Sequence, residues 1–275
     1  MSAEDDGMKI LVLSPHRGDA AFSVAVSMGN WLAVEHEVTI LNVFSRSLYA
    51  PFSDAEFVHE NDRLSYVSAM RRREDERFVQ QMIDELPRAA KANFQMVDLN
   101  LKDAPLRLRC APEDVSDLAV SPEDPAIGKL RKTLDQRVAA RDVDALVLPL
   151  ALGEHVDHLT VREAALPLTT ELPSAFYEDL PYAATHPSAA TNLQALREET
   201  GTKWHEELRP VLNQRADLGE AWKRRLILGY ASQIDDDEAA RVGEFAARYA
   251  GGERLWTNQR WIEMAEGCRL SFRFN

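Results

Sequence analysis

The stretch of sequence that decides the fold is residues 9–19, which read KILVLSPHRGD. Residues 9–13 form a short apolar run, which is typical of a buried strand. Residues 20–34 are mostly apolar and small, and their larger side chains recur at helical spacing. Residues 37–44 are rich in β-branched side chains and predict a second strand. A strand, a helix and a second strand in this order predict a parallel pair joined by a helical crossover.

The same alternation continues along the chain and then becomes less regular. In the first half we expect helices at 61–86 and 126–140, strands at 93–99 and 145–150, and loops at 45–60 and 101–125. In the second half we expect strands at 174–177, 205–212 and 269–274, and helices at 218–232 and 237–249. This order predicts an α/β protein, a Rossmann-like three-layer sandwich with a mostly parallel sheet. We expect residues 1–275 to form a single domain, whose C-terminal part elaborates the same sheet.

Composition excludes several classes of function. The formal net charge of −13 argues against non-specific binding to nucleic acid and against docking on anionic membranes. Cys110 and Cys268 are the only cysteines and lie far apart, so neither a disulfide framework nor a cysteine zinc site is predicted. The N-terminus is acidic, without the pattern of a signal peptide, and no stretch is apolar enough to span a bilayer. These features predict a cytoplasmic protein without nucleic-acid or membrane partners.

A second informative string, His155-Val156-Asp157-His158, follows the strand expected at 145–150. Ligand sites of open α/β sheets form beyond the carboxyl ends of the strands, where His16 and Asp19 also lie. Two imidazoles and a carboxylate are the ligand set of a catalytic zinc ion with open positions, and the same set suits iron. A His-x-x-His spacing also arises by chance, and histidines on turns are often structural. The spacing alone therefore leaves a structural role open.

Both strings resemble motifs of the LmbE-like, or PIG-L, zinc-dependent de-N-acetylases. The first family motif is a strand followed by Pro or Ala, His, any residue, Asp and Asp, and the second, His-x-Asp-His, is complete here. Similar stretches also occur at 71–75, 176–182 and 230–233, so the resemblance runs over residues 8–235. It implies a zinc-dependent amide hydrolase, a deacetylase that acts on an N-acylated amino sugar or a related small molecule.

The resemblance also implies roles for individual residues. His16, Asp19 and His158 fall on the three positions that bind zinc, although another divalent metal is also compatible. His155 falls on the position that stabilises the oxyanion as an imidazolium. Asp157 lies where a carboxylate orients a neighbouring imidazole, as such partners do in metal sites.

The chain departs from the family motif at Gly18, where the family has the aspartate that serves as general base. Glycine cannot accept a proton, and the loss of a general base typically lowers the rate about a hundred- to ten-thousand-fold. Glu154, Asp157 and His155 are candidates to replace it. The departure leaves an alternative open: an impaired member of the family that binds metal and a sugar-like ligand or a partner without efficient turnover.

Three further residues are candidates for substrate contact. Arg17, within the first motif, is expected either to disfavour the metal slightly or to bind an anionic group of the substrate. Arg71 forms either a surface ion pair with Glu74 or part of the site. Tyr177 follows an expected strand and is a candidate for sugar binding.

Overall fold

The computed structural model describes residues 7–53, 55–84, 92–185, 189–209 and 219–267. Its strands are β1 (Lys9–Ser14), β2 (Glu37–Asn42), β3 (Phe94–Asp98), β4 (Ala145–Pro149), β5 (Ser174–Tyr177), β6 (His205–Arg209) and β7 (Glu253–Thr257). They form one sheet in the order β3-β2-β1-β4-β5-β7-β6. The pairs from β3 to β5 are parallel, whereas β7 is antiparallel to both β5 and β6. The prediction of an α/β fold with a mostly parallel sheet is confirmed.

Helices connect and cover the strands. They are α1 (Asp19–Ala33), α2 (Glu60–Asp84), α3 (Ala104–Leu108), α4 (Pro125–Ala139), α5 (Val156–Ala165), α6 (Tyr182–Thr185), α7 (Ala189–Thr200), α8 (Gly219–Leu228), α9 (Asp236–Ala247) and α10 (Gln259–Gly267). The crossovers α1 and α4 bring the chain back to the start of the next parallel strand, as expected for βαβ units. In the part of the chain that the structure describes, no helix combines the length and apolar character needed to cross a membrane.

The centre of the sheet explains why the two motifs meet. Strands β1 and β4 are neighbours, with Ile10 opposite Ala145 and Val12 opposite Val147. Their apolar side chains are almost completely buried, as expected for central strands covered on both faces. Strand β1 pairs with β2 on its other side, so the strand order reverses at this point. The crevice beyond such a reversal is the usual ligand site of an open α/β sheet.

The second half of the fold differs from the sequence prediction. Strand β7, α7 and α10 fall on residues for which no element was expected, and α3 interrupts the loop expected at 101–125. Strand β7 does not show the apolar pattern of a buried strand because it begins with Glu253, a buried acid that lies 2.8 Å from Lys223 Nζ. The same carboxylate accepts hydrogen bonds from the backbone N–H groups of Val26 and Ser27 in α1. The strand expected at 269–274 lies outside the described residues.

Candidate metal centre

The turn between β1 and α1 brings the first motif together. Ser14 Oγ lies 2.6 Å from the carbonyl oxygen of His16, to which it donates, and accepts a hydrogen bond from Ala20 N. Gly18 has a φ of 97°, a left-handed conformation that glycine adopts without strain, and it caps the start of α1. Asp19 Oδ2 accepts a hydrogen bond of 2.7 Å from His16 N. The imidazole and the carboxylate therefore lie on the same side of the turn.

The second motif forms the beginning of α5. His155 is the N-cap residue, and its Nδ1 accepts a hydrogen bond of 3.1 Å from Asp157 N. His158 lies one turn into the helix and is completely buried. The three-residue spacing places both rings near the helix start, with their centroids 5.3 Å apart.

His16, Asp19 and His158 converge on one point. Asp19 Oδ2 lies 3.2 Å from His16 Nδ1 and 3.2 Å from His158 Nε2, and all three candidate ligand atoms lie within 4.8 Å of one another. Among the described residues the buried His158 Nε2 forms no hydrogen bond of good geometry, and Asp19 Oδ2 lies 3.2 Å away as an ion-pair partner. Buried polar atoms are rarely left without a partner. A divalent metal ion bound by these three groups would satisfy this nitrogen, so the donor set fits the metal that the sequence predicts.

Each candidate ligand histidine is held from behind by a buried carboxylate. His158 Nδ1 lies 2.6 Å from Asp179 Oδ1, and His16 Nε2 lies 2.9 Å from Asp157 Oδ2. Both carboxylates are completely inaccessible to solvent. Partners of this kind fix the tautomer and the ring orientation of metal-binding histidines. Sequence reasoning anticipated the orienting role of Asp157 but not that of Asp179, although the stretch 176–182 had been singled out.

Burial and charge interactions compete in the ionisation of the cluster. Burial alone would raise the pKa of Asp19, but His158 and His16 hold it well below its usual value. Burial acts against the charged form of His158, yet Asp19 and Asp179 raise its pKa to about 10. Burial and the neighbouring His16 and His158 lower the pKa of His155 to about 3. The cluster thus attracts positive charge strongly at the position between the candidate ligands.

His155 has a defined protonation pattern. Because Nδ1 accepts a hydrogen bond from a backbone N–H, the proton of the neutral ring resides on Nε2. Its lowered pKa favours this neutral form, whereas the resemblance implies an imidazolium. An Nε2–H group also donates a hydrogen bond without a positive charge. Stabilisation of an oxyanion by His155 therefore stays a prediction, with a neutral donor as the form that the surroundings favour.

A cavity of about 310 Å³ opens beside the cluster. His16, Asp19 and His155 line it, and so do Arg71 and several acids. Tyr182 and Gln233, which lie in the stretches that resemble the family, also line it, together with three acids that sequence reasoning did not single out, Asp103, Glu113 and Glu238. These three acids come from loops and helices far apart in the sequence, so no local pattern identifies them.

The structure corrects two of the three candidate substrate contacts. Arg17 is buried and turns away from the cavity, with Nη1 2.5 Å from Asp75 Oδ2 and Nη2 paired with Asp98. Tyr177 is completely buried, and its hydroxyl donates a hydrogen bond of 2.9 Å to Leu13 O. Neither side chain lines the cavity. Arg71 does line it, and its Nη2 donates to Arg17 O at 2.9 Å.

Two candidate replacements for the missing base, Glu154 and Asp157, do not line the cavity. Glu154 is exposed and does not line the cavity. Asp157 is buried behind His16, where Oδ2 also accepts a hydrogen bond of 2.8 Å from Ala104 N and Oδ1 lies 2.8 Å from Arg107 Nη2. Both oxygens of this carboxylate contact other groups of the protein, and Asp157 does not line the cavity.

Comparison with known proteins identifies proteins that resemble this chain in sequence and in fold. No family model matches the chain. A 2'-N-acetylparomamine deacetylase from Streptomyces fradiae is 28% identical over 257 residues, covering 90% of this chain and 81% of that protein. The A40926 pseudoaglycone deacetylase Dbv21 has the same fold, with a TM-score of 0.64 and 22% identity, covering 93% of this chain and 99% of that chain.

A second structural neighbour, the zinc-inhibited form of the teicoplanin deacetylase Orf2, has a TM-score of 0.64 at 20% identity. It covers 90% of this chain and 97% of that chain. The alignment with the sequence relative covers 90% of this chain, and the alignments with the two structures cover 93% and 90% of it. The chain is therefore a homologue of deacetylases of the LmbE-like, or PIG-L, type, as its two motifs indicated.

Proposed function

We propose that this protein is a zinc-dependent amide hydrolase that removes the N-acetyl group from an amino sugar or a related small molecule. The observation that carries the proposal is the convergence of His16, Asp19 and His158, whose ligand atoms lie within 4.8 Å of one another. The homology with a deacetylase of an N-acetylated amino sugar supports the reaction type. The zinc-inhibited form of a structural neighbour supports zinc as the metal for this donor set, which other divalent metals also suit.

Each residue of the site has a proposed task. His16, Asp19 and His158 would hold the metal and leave coordination positions open for substrate and water. When bound, zinc polarises a carbonyl oxygen and lowers the pKa of water towards neutrality. His155 donates a hydrogen bond to the oxygen on which negative charge develops. Asp157 and Asp179 hold the two ligand histidines in register.

The cavity also favours a particular kind of amino sugar. Its lining includes the carboxylates of Glu113 and Glu238, which are not candidate metal ligands. Among the described residues, Arg71 is the single Lys or Arg in the lining. An excess of acidic groups attracts ammonium groups and repels phosphates. We propose that the substrate carries free amino groups besides its acetamide, as an aminoglycoside precursor does. The relative that acts on 2'-N-acetylparomamine supports this class.

The alternative of a family member that binds without turnover is not favoured. Gly18 is the only feature that argues for it, and the relatives that the chain matches are deacetylases. Metal binding through His16, Asp19 and His158 is common to both hypotheses, so turnover is the property that separates them.

Metal analysis and a substrate panel test the proposal. The purified protein should contain about one zinc ion per chain, and it should release acetate from 2'-N-acetylparomamine faster than from uncharged N-acetylglucosamine. Glu113→Gln and Glu238→Gln should raise KM for the charged substrate. Absence of bound zinc together with absence of acetate release would refute the assignment, and a preference for the uncharged sugar would refute the substrate class.

Variants at Gly18 test whether the missing base limits the native reaction. A Cβ at this position would lie 3.1 Å from Phe22 Cζ and 3.3 Å from Tyr230 Cδ1, on a backbone with a φ of 97°. Gly18→Ala carries that strain alone, and Gly18→Asp adds a carboxylate to it. Their ratio of turnover isolates the carboxylate. Turnover that appears only in Gly18→Asp would identify the native chain as catalytically impaired.

We also propose a single domain over residues 1–275 and a cytoplasmic location. The continuous sheet from β1 to β7 supports one domain. The free thiol of Cys110 supports a reducing compartment. Limited proteolysis that releases two stable fragments would contradict the first proposal, and cell fractionation tests the second.

A further inference from the structure

The absence of a carboxylate at residue 18 leaves the proton balance of the reaction open. Amide hydrolysis adds the oxygen of water to the carbonyl carbon and breaks the bond from carbon to nitrogen. One proton must leave the attacking water, and one must reach the departing nitrogen. A positioned side chain normally carries this proton. The following inference rests on the proposed deacetylase function and concerns which residue does so here.

The residues nearest to the motifs are unsuited to the task. His155 Nδ1 already accepts a hydrogen bond from Asp157 N, so its neutral ring presents a donor rather than an acceptor. Asp157 is enclosed behind His16 and bound by a backbone amide and by Arg107. Glu154 is exposed outside the cavity.

Three carboxylates line the cavity apart from Asp19, and they differ in burial. Glu113 is exposed and Glu238 is half-buried, whereas only 4% of Asp103 is accessible to solvent. A carboxylate shielded from bulk water holds and returns a proton within a closed site, while an exposed one exchanges it with solvent. Burial therefore singles out Asp103 among the described residues.

The backbone around Asp103 is fixed to the candidate metal centre. The next amide, Ala104 N, donates to Asp157 Oδ2, and the same oxygen lies 2.9 Å from His16 Nε2. Asp103 N in turn donates to Arg46 O, which follows β2. The carboxylate of Asp157 thus links the backbone next to Asp103 with the candidate ligand His16. This connection fixes the backbone next to Asp103 relative to His16, and Asp103 lines the same cavity as His16 and Asp19.

We propose that Asp103 is the general base of the reaction. Its carboxylate accepts a proton from the attacking water as the new bond from oxygen to carbon forms. The proton then passes to the nitrogen as the bond from carbon to nitrogen breaks, and the products are a free amine and acetate. In this chain, a loop after β3 supplies the proton acceptor that the β1 motif lacks.

The electrostatic surroundings agree with this role. Burial raises the pKa of Asp103, and a hydrogen bond with Ser47 and the nearby charges of His16 and Arg71 oppose that rise. A pKa above the ordinary value of 3.8 makes the carboxylate a stronger base near neutral pH. Asp103 also caps α3 through Leu106 N, at 3.4 Å, which is a purely structural task. The experiment must separate the two.

Asp103→Asn separates them, because asparagine caps a helix as well as aspartate but cannot act as a base. We expect kcat to fall about a hundred- to ten-thousand-fold, with KM, Tm and zinc affinity unchanged. The acidic limb of the pH profile of kcat should also disappear. Asp117→Asn, an exposed acid of the neighbouring loop, is the matched control and should change kcat less than about twofold.

A readout that does not require turnover completes the test. In metal-free protein, carbon NMR of the Asp103 carboxyl should report a pKa above 3.8, and addition of zinc should lower it because a cation nearby favours the carboxylate. A kcat of Asp103→Asn within tenfold of the unmodified protein would overturn the inference while the deacetylase function stands. If the unmodified protein shows no turnover, the function fails. A zinc-insensitive Asp103 pKa would then overturn the inference on its own.

Discussion

Neighbouring residues of the turn after β1 belong to two different clusters, each of which contains carboxylates. His16 and Asp19 belong to the metal cluster, together with His158. Arg17, between them, turns to the other side and enters the Arg17 cluster, which consists of Arg17, Asn42, Asp75, Asp98 and Tyr230. There Asp75 accepts hydrogen bonds from Arg17, Asn42 and Tyr230, and Asp98 accepts from Arg17 and Asn42.

The two clusters differ in the groups that surround their carboxylates. Every carboxylate oxygen of the Arg17 cluster accepts a hydrogen bond from within the protein, although Arg17 Nε and Asn42 Oδ1 have no hydrogen-bond partner among the described residues. In the metal cluster the buried His158 Nε2 forms no hydrogen bond of good geometry among the described residues, and it faces Asp19. In the Arg17 cluster a guanidinium of the protein balances the two carboxylates, whereas in the metal cluster Asp19 lies between two imidazoles, a donor set suited to bind a divalent cation. Arg17 therefore contributes to stability rather than to metal or substrate binding.

Removal of a candidate ligand should produce the largest effect on activity. Asp19→Asn keeps the shape of the side chain but removes the charge between His16 and His158. We expect loss of stoichiometric zinc and a decrease in turnover of about a thousandfold, because several kcal/mol of charge stabilisation is lost. Metal analysis and an acetate assay measure the two effects.

Asp98→Asn is the matched control, since it removes a carboxylate from the Arg17 cluster instead. Its zinc content should equal that of the unmodified protein. If Asp98→Asn also lost zinc, the two clusters would not be separate in function.

Removal of the cation from the Arg17 cluster should produce the largest effect on stability. Arg17→Met leaves Asp75 and Asp98 without their charged partner in a buried setting. Loss of one member of a buried ion pair typically lowers the free energy of unfolding by about 3–5 kcal/mol. Chemical denaturation measures this change, and the folded fraction should still bind one zinc ion.

The neighbouring Arg72→Met provides the comparison. Its side chain is 65% exposed and forms a surface ion pair with Glu76, so the free energy of unfolding should change by less than about 0.5 kcal/mol. Equal losses in both variants would show that burial of Arg17 carries no special weight.

Weakening of an outer partner should have an intermediate effect on metal binding. Asp179→Asn replaces the carboxylate that holds His158 Nδ1 at 2.6 Å. Replacement of such partners typically reduces metal affinity about ten- to a hundredfold. Competition with a zinc chelator measures the affinity. An unchanged affinity would mean that the ring is held by packing alone.

The Arg17 cluster should also give rise to a pH dependence of stability. Burial raises the pKa of Asp75 to about 6, although Arg17 and Tyr230 oppose the rise. Between about pH 4 and pH 6 the folded protein keeps a proton that the unfolded chain has released. The free energy of unfolding should therefore fall as the pH rises through this interval and should level off above it.

Asp75→Asn isolates this contribution, because asparagine does not titrate. Denaturation curves from pH 4 to pH 7 should show a shallower decline for Asp75→Asn than for the unmodified protein. Parallel curves would show that Asp75 ionises in the folded state at its ordinary pKa.

Features that depend on neighbouring residues were predicted from the sequence, whereas features that depend on residues distant along the chain were not. Strands β1 and β4 are continuous apolar runs, and the motif that follows each one was predicted at the correct edge of the sheet. Strand β7 was missed because its buried acid, Glu253, finds its counter-ion in Lys223, thirty residues away. A short-range pattern contains no information about such a partner.

The sequence alone determined the parallel sheet, the deacetylase motifs and the three candidate metal ligands, because strand periodicity and motif spacing are properties of neighbouring residues. Only the tertiary structure decided that Arg17 and Tyr177 lie away from the cavity and that Asp179 supports His158. It also placed Asp103 on the cavity wall. The physical reason is that the direction and burial of a side chain depend on contacts with residues that are distant along the chain.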